Sequence, residues 1–167
     1  MAEESQPKWE GKTTAELSGP TAEQIWPFWE DFCNLHLWHP DIDTCSQVEG
    51  TPGQPGLIRY CATKKTSSSG GDDGISWCKE KILMIDPVNR CLSYELLENS
   101  IGFKLYVATI KVLSVDGDGG RGCKIEWSFV ADPVEGWKFE DLVAYIETCL
   151  LSMAKKMEQS VGAHNGY

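Results

Sequence analysis

From Thr44 to Asp132 the apolar residues of this chain return at every second position, and from Phe139 to Met157 at every third or fourth. A period of two belongs to an extended strand, whose side chains alternate between two faces, and a period of 3.6 to a helix. The chain must therefore set six successive strands beside one long helix. Strands are expected near 44–50, 56–64, 75–85, 91–98, 103–115 and 121–132. Between them stand turn-forming runs such as Pro52-Gly53-Gln54-Pro55-Gly56, Asp86-Pro87-Val88-Asn89 and Asp116-Gly117-Asp118-Gly119-Gly120. Connections this short make an antiparallel meander. The closing helix carries Phe139, Leu142, Val143, Ile146, Leu150, Met153, Ala154 and Met157 as its apolar stripe, Lys155 and Lys156 on its wet side, and Gly162 near its end.

Ahead of the meander, Trp9 to Leu17 alternates loosely and reads as a first strand, ended by Ser18-Gly19-Pro20. A helix then starts at Thr21, with Pro20 near the first helical position and an apolar stripe of Ile25, Phe28, Trp29 and Phe32. Pro27 lies inside that stripe, so the helix is either short and kinked or begins later. A second short helix is expected over Cys33–Leu37, stopped by His39-Pro40. The class is α+β: a curved antiparallel sheet of about seven strands, two short helices after the first, and a long C-terminal helix. A helix lying in the hollow of a curved sheet leaves an enclosed cavity beneath it.

Two charged residues stand in phase with apolar strand faces. In Trp77-Cys78-Lys79-Glu80-Lys81-Ile82-Leu83-Met84, the side chains of Cys78, Glu80, Ile82 and Met84 share a face opposite Lys79 and Lys81. In Gly56-Leu57-Ile58-Arg59-Tyr60-Cys61, Arg59 shares its face with Leu57 and Cys61. Charge on an inward face is costly unless it is paired. An arginine and a glutamate inside one apolar container point to a polar site in a pocket, or to a structural ion pair satisfying itself.

At 167 residues the chain suits one domain, expected over 8–161, with a disordered tail at 1–7 and a flexible tail at 162–167. The run Ser67-Ser68-Ser69-Gly70-Gly71-Asp72-Asp73-Gly74, within a loop over 66–74, is placed to act as a lid. The acidic N-terminus lacks the features of a signal or transit peptide, and no apolar run is long enough to span a membrane. Seven cysteines, an odd number scattered through strand-like runs, fit a reduced cytoplasmic protein. A net charge of −10 argues against nucleic acid and anionic membranes, leaving a small hydrophobic or amphipathic molecule as the expected partner of a monomer.

These runs resemble the START-like superfamily, the helix-grip fold that includes polyketide cyclases/dehydrases and birch-pollen-allergen-like proteins. The chain is most similar to the plant lachrymatory factor synthase group, through Lys8-Trp9-Glu10-Gly11-Lys12, Asp31-Phe32-Cys33-Asn34-Leu35-His36, Val48-Glu49-Gly50, Glu126-Trp127-Ser128-Phe129 and Glu135-Gly136. That group's catalytic arginine in G-x-x-R-Y, glutamate in W-x-K-E-K and tyrosine in Y-x-A-T have counterparts in Arg59, Glu80 and Tyr106. The resemblance implies isomerisation of an alkenyl sulfenic acid to a thioaldehyde S-oxide. Glu80 would serve as general acid–base and Arg59 and Tyr106 would hold the substrate oxygen. Trp127, Phe129, Leu96, Cys78 and Ala108 are expected on the cavity wall, and no cofactor is implied.

Abscisic-acid receptors share the fold and a similar trio, using it to bind rather than to react. Their S-G-L-P-A gate and H-R-L latch are missing here, and Asp43 stands where they carry a carboxylate-binding lysine. The alternative to an isomerase is therefore a non-catalytic carrier of a hydrophobic plant metabolite or lipid. Cys33-x-x-His36-x-x-His39 with Cys45 fails the usual zinc spacings, so no metal is expected. With three histidines, one of them near the C-terminal end at 164, a serine or cysteine nucleophile lacks an evident base.

Overall fold

Strand β1 (Trp9–Leu17) pairs with the last strand of the chain, and this closes the order of the sheet. In the computed structural model, which describes residues 8–64, 75–115 and 122–165, seven antiparallel strands run β1-β7-β6-β5-β4-β3-β2. The others are β2 (Thr44–Glu49), β3 (Ile58–Lys64), β4 (Ile75–Asp86), β5 (Cys91–Asn99), β6 (Tyr106–Ser114) and β7 (Cys123–Ala131). Helix α1 (Ala22–Glu30) and a 3-10 helix (Phe32–Leu37) carry the chain from β1 to the opposite edge, and α2 (Phe139–Asn165) closes the fold. This is the α+β helix-grip architecture expected from the sequence. The tail at 1–7, the lid at 66–74 and the turn at 116–120 lie outside the described residues. No helix among the described residues is long and apolar enough to cross a membrane.

Period-two alternation makes the core. Cys123, Ile125, Trp127, Phe129 and Ala131 of β7 are buried, as are Tyr106, Ala108, Ile110 and Val112 of β6. They meet Leu142, Ile146, Cys149, Leu150, Met153 and Met157 of α2 in one cluster. Gly11 is required on β1 because a Cβ there would stand 2.7 Å from Cε1 of Phe129 and 3.2 Å from Cγ2 of Val143. The Phe129 ring fills that space and stacks on Tyr106, centroids 5.7 Å apart and planes 15° off parallel.

Several details differ from the expectation. Thr21 is the N-cap of α1, not its first residue: Oγ1 accepts from the Gln24 N–H at 3.2 Å, and Gln24 Oε1 accepts from the Thr21 N–H at 3.0 Å. Pro27 sits inside this short helix, which buries Trp26 along with Ile25 and Trp29 and leaves Phe28 half-exposed. Helix α2 is continuous past Gly162 to Asn165. Met84 does not face inward. A bulge between Ile82 and Met84 shifts the register, so Ile85 opposes buried Leu92 while Met84 opposes Ser93 and is exposed.

Candidate functional site

Adjacent strands bring Arg59 and Glu80 together because the two are Cα partners in the β3–β4 ladder. Arg59 Nε donates to Glu80 Oε1 at 2.7 Å, and Nη2 lies 2.6 Å from the same oxygen. Nη1 donates to the Phe32 carbonyl at 2.7 Å, and the guanidinium lies 3.6 Å above the centre of the Phe32 ring. The 3-10 helix thus clamps the cation through both a backbone oxygen and a ring face. Burial pulls the guanidinium down and the Glu80 carboxylate pulls it up; the carboxylate wins, and Arg59 is held above its ordinary value.

Glu80 opens onto a chamber of about 130 Å³ beneath α2. Of the expected catalytic and wall residues, Tyr106, Cys78, Leu96 and Trp127 line it beside Glu80. Arg59, Ala108 and Phe129 do not. Arg59 borders a separate void of about 20 Å³ between Trp29 and Tyr94. Its link to the chamber runs through Glu80. Phe129 is backed against Gly11 and Val143, with Tyr106 stacked on it. Ala108 is fully buried opposite its cross-strand partners Tyr94 and Phe129, and its methyl is too short to emerge between those rings.

The Tyr106 hydroxyl oxygen accepts from Trp127 Nε1 at 3.2 Å. Burial pushes this hydroxyl up, the bond from Trp127 pulls it down, and the Glu80 charge pushes it up again; Tyr106 is a neutral phenol at neutral pH.

Sequence reasoning missed Tyr94, His39, Tyr145 and Cys149, all on the chamber wall. Tyr94 was the findable one, since it is in phase with Leu92 and Leu96 on β5; burial raises its hydroxyl too. His39, Asp41 and Cys149 offer ligand atoms within 4.8 Å of one another, a set different from the one the motif had pointed to. The Asp41 N–H donates to His39 Nδ1 at 3.0 Å, so the other ring nitrogen carries the proton. Burial pushes the imidazole down to about 4, leaving it neutral at neutral pH, and pushes the Cys149 thiol up to about 11. Tyr145 donates to Asp41 Oδ2 at 2.9 Å. The His39–Asp41 and Asp41–Tyr145 bonds tie the mouth of the chamber together. Cys45 instead faces Cys61 at 3.4 Å across β2 and β3, and His36 Nδ1 is buried without a partner.

Outside the mouth lies a vestibule of about 410 Å³, walled by Pro40, Asp41, Asp43 and Trp137 and sharing Thr63, Ser76, Ile101, Phe103, Leu142 and Tyr145 with the chamber. Residues 9–158 match the family model for polyketide cyclase/dehydrase and lipid transport. The chain belongs to that family. Solved structures with the same fold come from plant and bacterial members of this architecture. Ginseng major latex-like protein 151 from Panax ginseng is 20% identical, with a TM-score of 0.66 over 91% of this chain and 97% of its own. XoxI from Bacillus cereus is 22% identical, with a TM-score of 0.66 over 90% and 94%. A protein from Thermobifida fusca reaches a TM-score of 0.70 at 19% identity over 92% and 93%. At these identities the likeness speaks for the fold, while family membership establishes a ligand-binding type of domain.

Proposed function

We propose that this chain is a small-molecule isomerase of the lachrymatory factor synthase type, or a relative acting on another substrate, in which Glu80 relocates a proton. The observation that carries the reading is a carboxylate on the wall of an apolar chamber, with both of its arginine contacts made to one oxygen and the other left for a ligand. With an alkenyl sulfenic acid, Glu80 takes the proton from the S–O–H oxygen. The C–S bond then becomes C=S as the C=C pair takes that proton back from Glu80 at the alkenyl carbon distal to sulfur, so the O–H and C=C π bonds are exchanged for a C–H bond and the thioaldehyde S-oxide. Tyr106, whose own oxygen is held by Trp127, donates to the substrate oxygen as its charge builds. Arg59 acts as a positioning residue, fixing the Glu80 carboxylate and balancing its charge. A reducing compartment belongs to the same reading, supported by seven free thiols.

A second reading, a carrier that binds without reacting, is favoured by the way Arg59 and Glu80 satisfy each other as a buried ion pair. The two are separated by generating the alkenyl sulfenic acid fresh in the presence of wild type or Glu80→Gln and measuring the thioaldehyde S-oxide. The isomerase reading expects product from wild type and none from Glu80→Gln. Product from neither favours the carrier, and full turnover by Glu80→Gln removes Glu80 from the mechanism.

A further inference from the structure

The walls of the cavity define the chemistry of what it takes, an inference resting on the reading of the chamber as a ligand site. Its volume of about 130 Å³ is close to the ~150 Å³ apolar cavity that a single benzene ring fills. Among the described residues, no lysine or arginine lines either the chamber or the vestibule. Arg59, the buried cation nearest the chamber, gives its donors to Glu80 and the Phe32 carbonyl. The His39 ring is neutral, with its Nδ1 already accepting from Asp41. An anionic head group would pass Asp41 at the vestibule and meet Glu80 inside, and among the described residues no lysine or arginine lines that route. An unpaired carboxylate in such a site carries its full desolvation cost.

The hydrogen-bonding inventory narrows the class further. An ionised carboxylate only accepts, so the free oxygen of Glu80 requires a donor on the ligand. The Tyr106 hydroxyl, accepting from Trp127, has its own proton to give to a ligand oxygen. The Glu80 acceptor and the Tyr106 donor, with the Tyr94 hydroxyl and the second ring N–H of His39 on the same wall, match a hydroxyl carried on a small apolar body.

We propose that the cavity selects uncharged ligands of about benzene's size that present an acidic O–H to Glu80, and rejects carboxylates, fatty acids included. For this member the lipid-transport half of the family description then does not apply.

The test is equilibrium binding followed by isothermal titration calorimetry, with phenol, anisole, benzoate and laurate as probes at neutral pH. Saturable binding of phenol is expected, at least ~10-fold tighter than that of anisole, which lacks the donor, with no saturable binding of benzoate or laurate. In Glu80→Gln, checked for fold by circular dichroism, the preference for phenol over anisole shrinks by about fivefold. If that variant does not fold, the wild-type series decides alone. Benzoate or laurate binding as tightly as phenol overturns the inference, as does anisole matching phenol or phenol failing to saturate. Turnover plays no part in this readout. Phenol selectivity without sulfenic-acid turnover would remove the isomerase and leave this inference standing; turnover without selectivity would do the reverse.

Discussion

Two nitrogens of Arg59 converge on a single oxygen of Glu80, Nε at 2.7 Å and Nη2 at 2.6 Å from Oε1. A fork-to-fork pair would occupy both carboxylate oxygens. The one-oxygen arrangement anchors Glu80 from behind and keeps its second oxygen for the chamber. Charge balance is thus provided on one side of the carboxylate and chemistry on the other.

Breaking this pair from one side leaves a buried charge alone. Arg59→Met is expected to destabilise the fold by about 3–5 kcal/mol, and Arg59→Met with Glu80→Leu to recover more than half of that. Urea denaturation of wild type, both single variants and the double variant measures the coupling. Additive losses would mean that the two side chains do not support each other.

Tyr106→Phe removes the acceptor for the Trp127 N–H, at a cost of about 1–2 kcal/mol. If the hydroxyl also stabilises the reacting oxygen, turnover falls about 100-fold, far beyond what the lost stability explains. Steady-state rates on freshly generated sulfenic acid, set beside the Tm, separate the two effects. A variant with reduced Tm and unchanged rate would return Tyr106 to a packing role.

Gly11→Ala introduces a methyl 2.7 Å from the Phe129 ring, and the overpacking is expected to cost about 1–3 kcal/mol. Because Phe129 stacks on Tyr106, the displacement reaches the chamber. Near-ultraviolet circular dichroism should change along with the urea midpoint.

His39 makes stability depend on pH in a defined direction. Burial holds its folded value at about 4, Asp41 opposing and Arg59 and Lys156 assisting, against about 6.5 in the unfolded chain. The unfolded state binds the extra proton between those values. Stability contributed by the neutral ring is therefore complete above about pH 6.5 and lost as pH falls toward 4, by up to about 3 kcal/mol. Urea midpoints of wild type and His39→Gln across this range check it: the variant's profile should be flatter by that amount.

The pairing of Arg59 with Glu80 was legible because charge in phase with Leu57, Cys61 and Ile82 has few places to go but inward. Strand phase could not foresee the bulge beside Leu83, which turns Met84 outward, since a bulge is chosen by the partner strand. Nor could it distinguish an aromatic that lines a chamber from one that backs it. Trp127 and Phe129 share a face of β7, yet the absent side chain of Gly11 draws Phe129 back. His39, Tyr145 and Cys149 come from a loop and a helix that meet only on folding, and no local spacing connects them. Tyr94, in phase with Leu92 and Leu96, reads simply as core until Arg59 is seen 5.2 Å from its ring.

The pairing of β1 with β7 has a temporal consequence. Trp9 is matched with Ala131 and Leu17 with Cys123, so β1 has no strand partner until β7, the last strand of the sheet in chain order, has been made. The meander from β2 to β7 can zip locally, whereas β1 and α2, which pack on each other, have their full set of partners only once both exist. On the ribosome Trp9 and its neighbours stay without their strand partner until β7 has been made, and the ligand chamber is not walled until α2, which lines it through Leu142, Tyr145, Ile146 and Cys149, has followed.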